Sequence, residues 1–519
     1  RGAIAGSLLA PSFRKGHAIR DGLSLEPWRG VTPSRTGTLI LGGGPAGLSA
    51  AWRLLRRGYD DFALYELEPK LGGTSLSGAS AVSRYPWAAH YLPLPMADNT
   101  TLIALLRELG AVTGTDSDGE PIGAEQVLVQ EPAERVFFRG YWYPGVYPFA
   151  GASAEDLRQL ERFRRTIDGY VAMRDGRGRR AFTLPVSRCS DDPDLRALDR
   201  LSARAWLDAH GFTSARLRWL ALYACRDDYS LGLDEASAWA LIFYWAARIR
   251  RPGADAQPVL TWPEGNGALV HHLAAVTGAR AHTGHLAVDV EPTEAGVRAR
   301  LLRTADDAPV VIDAERCVVA TPRFTAARIV RPLRQLGPPS LEGFRFGAWA
   351  VANLHLRSRP GERGFEPCWD NVLHHSRSVG YVDATHQGGR GFGPTVWTYY
   401  RPLWDYTPAE ARAYLLEASW EDWRDAILRD LAPAHPDLVD HVERIDVYRW
   451  GHAMIQPRAG FVWSEARTRA AAPLAGGRIH FAHSDLSALA LFEEAFDHGV
   501  RAADAVLASR AVAPPRPPG

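Results

Sequence analysis

Lysine is nearly missing from this chain of 519 residues. Among its 60 basic residues only Lys15 and Lys70 are lysines, so no ammonium side chain lies beyond residue 70. The bias toward arginine is the mark of a GC-rich genome. Cysteine is scarce as well: Cys189, Cys225, Cys317 and Cys368 stand far apart and form no C-x-x-C, which argues against a metal site or a disulfide framework while leaving a single bridge open. No apolar run reaches transmembrane length. Net charge is also lacking, at +1, and this removes the usual arguments for nucleic acid or an anionic membrane as partner. What remains is the composition of an ordinary globular protein, 46% hydrophobic and 23% charged, whose 57.0 kDa implies two domains.

The most informative stretch is 38–75. An apolar run, Leu39 to Leu41, is short enough for a buried parallel strand, and Gly42, Gly44 and Gly47 follow at G-x-G-x-x-G spacing around Pro45 and Ala46. A helical period then runs through Leu48, Ala51, Leu54 and Leu55 to Gly58. In such a turn the first glycine permits the bend, the second lets backbone approach a pyrophosphate, and the third lets helix and strand pack closely. A second strand, 62–65, ends at Glu66, 19 residues after Gly47, where an acid can accept hydrogen bonds from a ribose diol. Leu67 and the pair Gly72-Gly73 complete the candidate nucleotide-binding set.

With Leu-Gly-Gly a few residues beyond the ribose acid, this segment resembles the FAD-binding start of the flavin amine oxidase superfamily, which also contains protoporphyrinogen oxidases and phytoene desaturases. That family usually has Arg after the glycine pair, where this chain has Thr74. Two later segments strengthen the resemblance. TWPEGNGALVHHLA, 261–274, is similar to the approach to the helix with which the superfamily's chain returns to the FAD domain, and RCVVATP, 316–322, reads as a buried strand. Finally 476–507 is similar to the C-terminal FAD motif, which implies Asp485 on the ribityl hydroxyls and a helix N-terminus toward the flavin pyrimidine end. The resemblance also implies that backbone at Val290 contacts adenine, and that residues 87–90, His90 among them, run past the flavin ring.

The expected fold class is α/β: a discontinuous Rossmann-type FAD-binding domain formed by 36–100, 260–330 and 470–508, with an α+β substrate-binding domain from 101–259 and 331–469. Residues 1–35 read as a leader or surface arm and 509–519 as a proline-rich tail. Helices are expected over 99–110, most of 154–250 and 408–431, and antiparallel strands in the aromatic stretch before residue 150. The beginning, RGAIAGSLLAPS, resembles the end of a twin-arginine export signal, which implies a periplasmic protein; a cytoplasmic one is the alternative.

The cofactor implied is FAD, with no metal, and the reaction is hydride removal from a C–N or C–C bond of a small molecule. The candidate catalytic residues are His90, Tyr399 and the pair Asp227-Asp228, which either meets a cationic substrate or only finishes a helix. Tyr399 and Tyr400 point to opposite faces if extended, so at most one faces a substrate. Two departures weigh against an amine. Many amine oxidases of the family hold a water-activating lysine on the strand similar to 344–356, and a cage tyrosine where aligning GYMEGA with ALFEEA puts Leu491. A desaturase or dehydrogenase of a neutral substrate, and a non-catalytic flavoprotein subunit, therefore stand beside the amine or polyamine oxidase. His483 reads as a packing residue or a flavin contact, covalent or not. The electron acceptor stays open among oxygen, a quinone and a carrier protein, as does the oligomeric state.

Overall fold

A computed structural model describes residues 3–389 and 391–511. The first two residues of the expected leader and residues 512–519 of the expected tail lie outside them. The chain divides into two compact units. One is made of the residues up to Ala10, Ser77–Ala268 and Arg345–Trp463; the other of Pro11–Leu76, Leu269–Phe344 and the chain from Ser464 onward.

The second unit is a Rossmann-type layer. Its strands Ala281–His282, Phe62–Tyr65, Ser34–Leu41, Ala308–Val319 and Ile479–Phe481 run parallel, and Val297–Arg303 and His285–Pro292 extend the sheet as an antiparallel meander. Parallel strands covered on both faces need unbroken apolar runs, and Leu39, Ile40, Leu41, Cys317, Val318 and Val319 are all buried. Helix Pro45–Arg56 follows the glycine turn, and Gly58, at φ +73°, leads away from its end. The C-terminal helix Phe492–Ala511 lies against it, fixed by Trp52 on Phe496 and by Arg53 to Asp504 at 2.8 Å.

The first unit is built on a mixed eight-stranded sheet, in the order Ala5–Leu9, Val442–Ile455, Phe346–Leu356, Thr395–Pro402, Gly380–Asp383, Asp370–Leu373, Glu134–Phe138 and Tyr141–Pro144. Successive side chains of a strand point to opposite faces. One face carries Ala348, Ala350, Ala352, Leu354, Trp397, Tyr399 and Val447 into a core with Leu415, Trp423, Ile427 and Leu431. The opposite face carries Asn353, Thr398 and Tyr400 together with Asp370 and Glu134.

Several expectations change. The arm is not irregular: Ala5–Leu9 pairs parallel with Val442–Ile455, and Phe13–Arg20 is a helix. Gly6 makes the pairing possible, because a Cβ there would lie 2.0 Å from the Ile445 carbonyl oxygen and 2.3 Å from Trp420 Nε1. The helix expected over 408–431 is two, Pro408–Glu417 and Trp420–Leu431, because Ser419 and Asp422 form a capping box that starts a new helix. Residues 77–100 and 260–268, expected with the nucleotide, belong to the first unit, while 331–344 and 464–469 belong to the second.

Candidate functional site

In the nucleotide-binding unit the glycine turn has the geometry its spacing predicts. Gly42 has φ +109°, and a Cβ on Gly47 would lie 1.9 Å from the Gly42 carbonyl oxygen, so helix and turn touch backbone to backbone. Gly72 and Gly73 are both left-handed, at φ +136° and +54°, and Gly73 comes so near Gly44 that its Cβ would lie 3.3 Å from the Gly44 Cα. No side chain caps the N-terminus of Pro45–Arg56; Pro45 has no N–H to satisfy, and the remaining N–H groups of the first turn suit a pyrophosphate. Beside the turn, Thr321 keeps a buried hydroxyl without a hydrogen-bond partner. These features fit a dinucleotide.

Glu66 accepts the Gly43 N–H at 2.6 Å and the Glu68 N–H at 2.8 Å, and burial raises its carboxyl despite these bonds. Glu68 in turn accepts from the Ser12 N–H and hydroxyl at 2.7 and 2.9 Å, so the arm is tied to the chain just after Glu66. Leu67 packs with Trp28, Leu286 and Val288, a core position rather than a ligand position. Val290 is fully buried, with register partners Ala299 and Val330; the residue of its strand that reaches the ribose acid is His285, whose N–H donates to the Glu66 carbonyl at 2.8 Å. Thr74 lies in the short turn Gly73–Ser75. Asp485 is buried and accepts the Arg323 N–H at 2.8 Å, with His483 Nδ1 at 3.1 Å from its other oxygen. Leu491 precedes the last helix, and its carbonyl accepts the Ala495 N–H.

In the other unit, the sheet face away from the helical layer gathers acids and aromatic rings. Glu134 and Asp370 are register partners on adjacent parallel strands. Directly opposed like charges destabilise a sheet, so their pairing requires a compensating reason. Helix Ala215–Tyr229 brings Asp227 and Asp228 to the same cluster, with Tyr223 donating to Asp370, Tyr244 to Asp227 and Tyr91 to Asp228, each at 3.4 Å. Arg248 donates to Asp228 at 2.6 Å and lies over the Tyr244 ring at 4.8 Å. Burial, then Asp228, pushes the Asp227 carboxyl up to about 7; burial, then Glu134 and Asp227, holds Asp370 well above the usual carboxylate range. Glu134 is exposed at the start of its strand, and desolvation, then Glu131, raises its carboxyl.

His90 joins this cluster by its ring, 4.7 Å from that of Tyr400 and 5.5 Å from that of Trp369. Its pKa is lowered by burial to about 4, so the imidazole is neutral near pH 7, and it hydrogen-bonds the Ala88 carbonyl, which also accepts the Tyr400 hydroxyl at 2.8 Å. His90 thereby holds backbone in place. Tyr399 is on the other face: its hydroxyl donates to Asp430 at 2.8 Å, and Tyr400 is the member of the pair beside the acids. The structure brings together His90, Asp227 and Asp228, and adds Glu134, Asp370, Tyr400 and Arg248. An acid inside each of the apolar strand patterns ERVFF and DNVL was the available signal.

The model for flavin-containing amine oxidoreductases matches residues 45–507. No curated protein sequence matches the chain. Among solved structures, a putrescine oxidase bound to putrescine is similar over 92% of this chain and 100% of its own, at 18% identity and a TM-score of 0.67. Cyclohexylamine oxidase from Brevibacterium oxydans aligns over 92% and 99% at 15% identity and a TM-score of 0.63. A fatty acid isomerase from P. acnes gives 15% identity and a TM-score of 0.61 over the same shares, so these likenesses describe the fold. The family match over most of the sequence, on a glycine cradle that fits a dinucleotide, makes this chain a member of the flavin-containing amine oxidoreductases, an FAD-dependent enzyme.

Proposed function

We propose that the enzyme oxidises an amine that carries at least one further ammonium group, bound by Glu134, Asp227 and Asp370. The observation that carries this reading is the in-register carboxyl pair Glu134 and Asp370 with Asp227 beside it, none of the three held by an ion pair among the described residues. Asp227 and Asp370 are half-buried and Glu134 is exposed, and clustered acids persist where a cation or a proton offsets them. Tyr223, Tyr244 and Tyr400 stay protonated, since burial holds each well above the ordinary phenol range, and their rings and hydroxyls suit an alkylammonium chain. The aligned putrescine oxidase, whose substrate is a diamine, is consistent with it.

FAD, when bound, supplies the acceptor for hydride from the carbon beside the reacting nitrogen. Gly42, Gly44, Gly47, Gly72 and Gly73 would hold its pyrophosphate, Glu66 its ribose and Asp485 its ribityl chain. The acids would hold the distal ammonium group of the substrate. Leu491 stands where the resemblance puts the cage tyrosine, and no lysine follows Lys70. The experiment is anaerobic reduction of bound FAD by a diamine, a monoamine of equal length and an unsaturated fatty acid. Bleaching by the diamine at concentrations at which the monoamine does little supports the reading; bleaching by the fatty acid alone overturns it.

A further inference from the structure

We propose that Arg248 limits the number of positive charges the substrate carries, by occupying at Asp228 the place of a further ammonium group. The inference rests on the amine reading above. Arg248 follows helix Ala238–Ala246, with its side chain 11% exposed. One guanidinium nitrogen is 2.6 Å from Asp228, another donates to the Tyr244 carbonyl at 2.6 Å, and the cation lies over the Tyr244 ring. These are the contacts of an alkylammonium guest, a carboxylate and an aromatic face, supplied from within the chain.

Its Nε is buried without a hydrogen-bond partner, so the guanidinium is not fully satisfied where it stands. Among the described residues, Asp228 has this ion-pair partner and Glu134, Asp227 and Asp370 have none. Replacing Arg248 by a neutral side chain leaves a fourth acid uncompensated and frees the volume of a guanidinium beside it. Both changes favour a substrate longer by one amine.

The test measures kcat/KM for a monoamine, a diamine and a triamine at pH 8.5 in the FAD-loaded enzyme, its Arg248→Gln and Arg248→Lys variants, and the double variant Arg248→Gln/Asp228→Asn. The triamine-to-diamine ratio is expected to rise about 10- to 100-fold in Arg248→Gln, the range for gaining one buried charge contact. It returns toward the parent value in the double variant, which removes the freed acid, and stays near it in Arg248→Lys, which keeps the charge. Millimolar guanidinium ion added to Arg248→Gln should lower the ratio again. An unchanged ratio in Arg248→Gln overturns the inference, as does a ratio equally high in the double variant. If diamine reduces the parent flavin and the ratio does not move, only this inference fails; if no amine reduces it, the functional reading fails first.

Discussion

Asp227→Asn should move stability and activity in opposite directions. The carboxyl titrates near 7 in the folded protein against 3.8 in an unfolded chain, because burial and Asp228 disfavour its charge. A folded pKa above the unfolded one means that the group costs nothing below pH 3.8, costs progressively more as the pH rises to about 7, and keeps the full cost above. At 1.36 kcal/mol per unit, the full cost is roughly 4 kcal/mol, which an uncharged amide does not incur. With an unfolding entropy of about 2 cal/mol/K per residue, that corresponds to a Tm about 4 °C higher at pH 9, and no gain at pH 4.

Under the proposed amine reading, the same substitution removes one anchor of the distal ammonium. Losing one partner of a buried charge contact costs about 2–5 kcal/mol, so kcat/KM for a diamine should fall roughly 30-fold to several-thousand-fold, while a monoamine changes little. The parent enzyme should bind the diamine more tightly as the pH rises through about 7, where Asp227 becomes anionic, and the variant should lose that dependence. The assays are thermal unfolding from pH 4 to 9 and steady-state kinetics with both amines. A variant less stable at pH 9, or one that loses diamine and monoamine turnover equally, would refute the reasoning.

Five more outcomes follow. Tyr400→Phe should slow flavin reduction by leaving the Ala88 carbonyl to His90 alone, whereas Tyr399→Phe should cost about 1 kcal/mol of stability with kcat unchanged. Gly499→Ala should weaken FAD binding and lower the Tm, since its Cβ would lie 2.2 Å from the Ala46 carbonyl oxygen and overpacking costs about 1–3 kcal/mol; fluorescence of released flavin reads it. Glu66→Gln should weaken FAD binding about 10-fold or more, because the amide cannot accept from both the Gly43 and Glu68 N–H groups; FAD titration of the apoprotein measures it. Gly6→Ala should free the N-terminal strand, seen as faster proteolysis before residue 10 with little change in turnover.

The nucleotide-binding half was legible because its chemistry is local. A glycine that must be a glycine, at a fixed distance from a strand and an acid, is written in about 35 consecutive residues. Gly499 was not legible: nothing in LFEEAFDHG announces that the helix crosses another at backbone distance, which only tertiary packing determines. The acid cluster was half legible. Asp227 and Asp228 are adjacent in sequence and were singled out, but Glu134 and Asp370 come from strands 236 residues apart in number, joined only by sheet register. The choice of Tyr399 over Tyr400 failed for the same reason, since alternation says that the two face apart and only the helical layer over Leu415 and Ile427 says which face is core.

That layer also explains why the acids are affordable. The face of the sheet that packs on the helices is filled by apolar side chains such as Ala350, Leu354, Trp397 and Val447, whereas the opposite face mixes buried valines, Val136, Val351 and Val372, with polar groups. On it the sequence places a carboxyl opposite a carboxyl, sets tyrosines around them rather than leucines, and neutralises only Asp228 from within, through Arg248. Each choice lowers stability where a hydrophobic pair would raise it. A fold that gives up stability at one patch, in a register that its own core fixes, places carboxyl groups without ion-pair partners among the described residues at a defined position. Under the proposed amine reading, a cationic chain is the ligand that recovers that loss.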